Sequence, residues 1–283
     1  PELPDKRWDG YEFRVLTKGT NNVHWKSKDI AASEENGDTI NDAVYKRNSA
    51  VTDKFGVTFT DIASPNGTWD LSTPARASIM AGSDDYDMIA GSFNEAVRKL
   101  APEGLLVDLN TVPYMDLSKP WYDQNSIDST AIGGKTFAVT GDMLIMDKEA
   151  TNAILFNKKM ADEYKLGNFY DMVRDGSWTL DVFEKSARAV AADLNNDGAM
   201  SESDQYGLVT SNVQSYFLMI GFGVKTTELD KDGIPSLTLK SEKLYDAIER
   251  ATKINNDFEI SISGSKFHED WGGTLDPAFS SGR

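Results

Sequence analysis

The chain has 283 residues, 40% of them hydrophobic, which is enough for two ordinary domains with real cores. With 29 Lys and Arg against 45 Asp and Glu, its net charge of −16 repels phosphate backbones and argues against nucleic-acid binding. The absence of cysteine excludes disulfide staples, thiolate metal sites and cysteine nucleophiles, and no run approaches the roughly 20 apolar residues that span a bilayer.

The opening PELPDKRWDG lacks the basic-then-apolar order of a signal peptide, so a mature form with its targeting segment removed is expected. EFRVLT (12–17) reads as a strand, DTINDAVYKRNSAVTDKFG (38–56) as a helix with Val44, Val51 and Phe55 at helical spacing, and VTFTDI (57–62) as a second strand. PARASIMAG and DYDMIAGS continue the alternation. A βαβ pattern of this kind predicts a parallel sheet flanked by helices. NEAVRKLAPEG reads as a helix stopped by Pro102 and Gly104, followed by the proline-punctuated stretch TVPYMDLSKPWYDQNSID.

Further on, GGKTFAVTGDM (133–143) reads as a strand after a Gly-Gly turn, and ATNAILFNKKMADEYKL as a strand leading into a helix. SWTLDVFEKSARAVAA (177–192) is the clearest helix, with Ser177 or Thr179 as cap and an apolar stripe of Val182, Phe183, Ala187 and Val190. YGLVT reads as a strand, SYFLMIGFG as a short helix, KDGIPSLTL as a hairpin or strand, and SEKLYDAIERATKINND as an amphipathic helix. No glycine-rich phosphate loop and no internal repeat is present.

DLNNDGAMSESD (193–204) fits a twelve-residue calcium loop. Oxygen donors fall on Asp193, Asn195 and Asp197, a backbone carbonyl on Ala199, a further position on Ser201 and a closing carboxylate on Asp204, while Gly198 permits the sharp turn. Asp in place of the usual Glu at the last position predicts a weaker site. Calcium sensors need a helix on both sides of the loop, yet QYGLVT reads as a strand. The loop is therefore expected to hold a structural Ca2+ that staples a helix to a strand; the alternative is a solvated acidic turn.

Enzyme signatures are sparse. Adjacent acids such as Asp84 and Asp85, Glu34 and Glu35, or Glu269 and Asp270 read as solvated surface, and His24 and His268 lack the i, i+4 partner of a zinc protease. No serine sits in a GxSxG elbow. By contrast, four of the six tryptophans, Trp25, Trp69, Trp121 and Trp271, lie in polar surroundings, as the stacking rings of a sugar site do.

The succession YDMIAGS, GGKTFAVTGD, NAILFNKKMADEYKL, GSWTLDVFEKSARAVAADLNNDGAMSESDQYGL and AFSSGR resembles the extracellular solute-binding proteins of bacterial ABC importers, family 1, the maltose-binding-protein-like group. Its most specific piece is the helix start from Trp178 to Phe183 followed by the DxNxDG loop and YGL. The resemblance implies an α/β, two-lobed clamp, each lobe a mostly parallel sheet flanked by helices. Residues 1–140 would form lobe 1 and residues 141–283 lobe 2, the first crossing falling at GKTFAVTGD. Family members run on beyond the equivalent of Phe279–Arg283, so a shortened chain with an incomplete lobe 1 is expected.

The resemblance further implies capture of a mono- or oligosaccharide in an interlobe cleft and delivery to membrane permease subunits, without catalysis. A monomer is expected, extracellular and anchored as a lipoprotein, or periplasmic. Peptide or another polar solute is the alternative cargo, and a secreted polysaccharide-acting enzyme or accessory domain the alternative class. Carried over by position, Ser92, Phe93 and Asn94 face the ligand from the loop after a strand, because ligands sit outside the carboxyl ends of strands. Asp142 joins from beyond the crossing segment, Trp25 and Trp271 are the first aromatic candidates, and Trp121 and Tyr216 stand behind them.

Overall fold

The computed structural model describes residues 3–19, 28–65, 70–211, 213–263 and 279–282. Trp25, Trp69, Trp271, His24 and His268, named above, lie outside them. The chain divides into a first unit, Pro1–Thr151 with Lys231–Ile234, and a second, Asn152–Asp230 with Pro235–Arg283.

The first unit realises the βαβ alternation. Strand β1 (Tyr11–Thr17) leads to helix α1 (Thr39–Phe55), whose first turn is capped by the Asp38 carboxylate accepting from the N–H groups of Ile40 and Asn41. Helix α1 stops at Gly56, φ 73°, a left-handed position that suits glycine. Strand β2 (Val57–Ala63), helix α2 (Ser72–Ala81), the two-residue strand β3 (Met88–Ile89) and helices α3 (Val97–Leu100), α4 (Gln124–Thr130) and α5 (Ile145–Glu149) follow.

The sheet has the order β2-β1-β3, with both pairings parallel; Tyr11 opposes Val57, Thr17 opposes Ala63, and Leu16 opposes Ile89. As the middle strand, β1 buries Val15, Leu16 and Thr17, and Leu16 packs with Leu71, Ala75 and Leu100 under Ile89 and Tyr86. Near the opposite edge, Arg14 donates to Asp87 at 3.0 Å and the Tyr11 hydroxyl donates to it at 2.5 Å. Burial alone would raise the Asp87 carboxyl, but these bonds outweigh it and hold it at about 2.

The segment GKTFAVTGD forms no strand. Its backbone groups are taken by loops instead of a ladder: the Thr136 N–H donates to the Asp108 carboxylate, the Leu109 N–H to the Thr136 carbonyl, and the Asp123 N–H to the Thr140 carbonyl. The first unit continues past this segment through α5. NAILFN likewise joins no ladder among the described residues, and Ile154 and Leu155 in it are exposed.

In the second unit, α6 (Lys158–Glu163) and α7 (Phe169–Asp175) precede α8 (Leu180–Val190), which Thr179 caps through its side chain. A ring series, Phe156, Phe169, Trp178 and Phe183, links these helices with centroid spacings of 5.0, 4.9 and 6.2 Å. Strand β4 (Leu208–Thr210), helix α9 (Gln214–Gly221), the antiparallel hairpin of β5 (Thr227–Leu229) and β6 (Pro235–Leu237), helix α10 (Glu242–Asn255) and strand β7 (Ser261–Ser263) complete it. Strand β4 pairs with β7 in parallel.

Helix α10 turns Leu244, Ala247, Ala251 and Ile254 inward, a stripe at helical spacing, and the first three pack with Met219 and Val224. Gly207 passes so close to α8 that a Cβ there would lie 1.9 Å from the Ala187 carbonyl oxygen. The glycine of YGL is thus a packing requirement between the helix and the strand that follows the acidic loop.

Candidate ligand face and acidic loop

Because all three strands of the first unit are parallel, their carboxyl ends share one edge, where Thr17, Ala63 and Ile89 end the ladders. Polar groups are concentrated and buried there: Thr17, Lys18, Ser64 and Ser72 are each at most 3% exposed. The Thr17 hydroxyl donates to Asp61 and accepts from the Gly19 N–H at 2.8 Å, while the Thr17 carbonyl accepts from the Ser64 N–H at 2.7 Å. Lys18 was not among the residues singled out by sequence. Burial pulls its ammonium down to about 8, so at pH 7 it remains largely charged.

Beside this edge, Asp70 gathers the start of α2. Its carboxylate accepts from the hydroxyls of Ser72 and Thr73, both at 2.6 Å, and from the Ser72 N–H at 3.0 Å. Those hydroxyls hold its carboxyl well below the usual range. Lys99 of α3 reaches Asp70 at 3.5 Å and Glu95 at 2.7 Å, tying α3 to α2.

Ser92, Phe93 and Asn94 sit in the turn after β3, on the same edge. The Ser92 carbonyl accepts from the N–H groups of Glu95 and Ala96, both at 3.1 Å, and Phe93 is 40% exposed, leaving its ring available to a ligand. The preceding Gly91 is squeezed against α2, since a Cβ there would lie 2.2 Å from Leu71 Cδ1.

Trp121 and Asp142, nominated separately, are neighbours. The Asp142 N–H donates to the Trp121 carbonyl at 2.9 Å, next to the antiparallel bridge between Tyr122 and Gly141. A Cβ at Gly141 would lie 2.1 Å from that same Trp121 oxygen. No hydrogen bond or ring contact among the described residues joins this pair to Ser92–Asn94. Tyr216 lies on α9 of the second unit, half exposed, with its ring edge against Phe217 at 5.8 Å. Asp84 and Asp85, rejected as a catalytic pair, serve the fold: Asp84 meets Arg14 at 3.4 Å and Asp85 accepts from the Ser83 hydroxyl at 2.5 Å.

The acidic loop folds as a closed ring of hydrogen bonds. Ala192 and Gln205 exchange backbone bonds at 2.9 and 3.0 Å at its base. Asp193 accepts from the N–H groups of Asn196 at 2.7 Å and Gly198 at 2.8 Å; Asn195 accepts from Asp197 and Asp197 from Ala199. Asn196 and Gly198 adopt left-handed φ of 57° and 83° to make the turn. Asp204, 1% exposed, accepts from Leu194 N–H with one oxygen and from the Ser201 N–H and hydroxyl with the other, at 2.9, 2.7 and 2.8 Å. The Ser201 hydroxyl, followed by the backbone donors, lowers its carboxyl pKa.

The loop exit leads into β4, so a strand follows the loop, as QYGLVT predicts. The donors are hard oxygens suited to Ca2+, and each carboxylate oxygen accepting one N–H retains a lone pair. Yet among the described residues no three His, Cys, Asp or Glu side chains are grouped to hold a metal. Ring closure rests on hydrogen bonds, with Asp204 as the clasp.

No protein-family model and no curated protein matches the chain. The fold is mixed α/β, with parallel sheets flanked by helices. Among solved structures the chain is similar to the ABC substrate-binding protein Lmo0181 from Listeria monocytogenes in complex with cycloalternan, at a TM-score of 0.51 and 15% identity. The match covers 97% of this chain and 60% of that one, so the chain spans about 60% of the length of the structure it matches.

Proposed function

We propose that the chain is the solute-capturing component of an ABC importer of the extracellular family-1 kind, and that its solute is a carbohydrate. The observation that carries this reading is the buried polar set Thr17, Lys18, Ser64 and Ser72 at the carboxyl edge of a parallel sheet, where ligands of open α/β folds bind. Hydroxyl groups there would donate to and accept from sugar hydroxyls, the ammonium would donate to them, and the exposed Phe93 and Trp121 rings would stack on C–H faces. The likeness to a binding protein holding cycloalternan supports the same reading.

Within this proposal the two units act as the lobes of a clamp, the protein works as a monomer outside the cytoplasm, lipid-anchored or periplasmic, and permease subunits receive the sugar without its being chemically altered. No helix among the described residues is long and apolar enough to cross a membrane. The charged Lys18 favours one refinement, an acidic sugar as solute; a peptide carboxylate is the alternative cargo. A melting-temperature screen against neutral oligosaccharides, uronic acids and short peptides separates the cargoes. A ligand at ten times its Kd adds about 1.4 kcal/mol to stability. Stabilisation by carbohydrates supports the proposal; stabilisation by peptides alone, or hydrolysis of an added oligosaccharide, overturns it.

Ca2+ at the 193–204 loop is a proposal of its own. Asp193, Asn195, Asp197, Ala199, Ser201 and Asp204 would hold it as a structural ion, stiffening the join between α8 and β4.

A further inference from the structure

Helix α5 has five residues, IMDKE, too few to persist on helix propensity, and its own N-cap position is Leu144, which offers no side-chain acceptor. The missing cap comes from 116 residues earlier in the chain. The Asp29 carboxylate, 4% exposed, accepts from the Ile145 N–H at 2.6 Å and the Met146 N–H at 3.4 Å. The preceding residue grips the other end: Lys28 Nζ lies 2.8 Å from Glu149, offsetting a carboxylate that the helix dipole disfavours at a C-terminus.

Asp29 and the residue after it, Ile30, are themselves anchored on α1. The Arg47 guanidinium donates to the carbonyls of Asp29 and Ile30 at 2.5 and 3.2 Å, and the Asn48 amide donates to the Ile30 carbonyl at 2.8 Å. A continuous path therefore runs from α1 through residues 28–30 to α5. From α5 it continues through the Leu144 N–H bond to Gly141 at 3.1 Å, and so to the turn in which Asp142 donates to Trp121.

We propose that Lys28 and Asp29 are positioning residues that fix the Trp121–Asp142 turn by capping α5 from outside, with Asp29 dominant because it is buried and Lys28 subsidiary because its ion pair is exposed. Calling the turn part of a ligand site rests on the carbohydrate reading; its positioning does not, so the test uses no ligand.

Residue-resolved amide exchange is measured on the whole chain. In Asp29→Ala, exchange at Ile145, Met146 and Asp142 should accelerate about tenfold, as expected for loss of a helix cap, while the β1 amides keep their rates. Asp29→Asn retains an acceptor oxygen and should give a smaller acceleration at the same three amides; it also serves if the alanine variant fails to fold. Lys28→Glu should accelerate Asp142 about twofold, and Lys28→Glu with Glu149→Lys should restore the original rate. The proposal is overturned if either Asp29 variant frees Ile145 and Met146 while Asp142 exchanges as before, or if the charge swap does not restore it.

Discussion

At the carboxyl edge of the first unit's sheet and in the acidic loop of the second unit, polar side chains are gathered to different ends. Around Thr17, Lys18, Ser64 and Ser72 they are buried, come from β1, the loop after β2 and the start of α2, and include a cation whose pKa burial has lowered. In residues 193–204 they come from a single continuous stretch and turn back upon it, the carboxylates of Asp193, Asp197 and Asp204 each accepting N–H groups of their own loop. A cluster that draws on several elements serves a shared surface, whereas one that satisfies itself shapes a turn. On the proposed reading, recognition belongs to the first region and mechanical closure to the second.

The largest expected effect tests closure. Gly207→Ala would drive a Cβ into the Ala187 carbonyl, separating the loop exit from α8, and should destabilise the second unit by about 3 kcal/mol in urea unfolding. Carbohydrate affinity at the first unit's edge should change much less. Equal losses at both would show that the two regions are not separable.

Acid sharpens the contrast. Asp204 has a lowered folded pKa, so its contribution to stability is complete above its ordinary value of 3.8 and is lost as pH falls through the folded value. Asp204→Asn should lower stability at pH 7 and flatten this part of the acid limb. An unchanged acid limb would mean that Asp204 is not the clasp.

The smallest effect concerns Ca2+. If the loop takes the ion, calcium at ten times its Kd raises stability by about 1.4 kcal/mol, and Asp193→Ala abolishes the increment without altering sugar affinity. No calcium increment in calorimetry leaves the hydrogen-bonded ring as the whole account of the loop. Loss of sugar affinity in Asp193→Ala would move recognition toward the second unit.

Legibility followed the same division. The acidic loop could be read because its residues are contiguous and its turn demands glycine at 198, and α10 because Leu244, Ala247, Ala251 and Ile254 repeat at helical spacing. GKTFAVTGD misled because β-branched residues fit a strand, but a strand requires a partner, and Asp108 and Asp123 take its backbone instead. Trp121 and Asp142 were nominated for different reasons, and only the fold shows them bonded. A lone lysine after a strand reads as surface, so the sequence signals Lys18 only through the TKG triplet at the end of β1. Asp29 could not be found at all, since the helix it caps begins 116 residues later.

The central claim, that the first unit's carboxyl edge holds the solute, is tested most directly by isothermal titration of cycloalternan and linear oligosaccharides into the intact chain and into Lys18→Met. We expect saturable heats for at least one carbohydrate, with affinity about tenfold weaker in Lys18→Met, as befits loss of a charged hydrogen-bond donor. Equal affinity in the two proteins, or no carbohydrate binding by the unaltered chain, would contradict it.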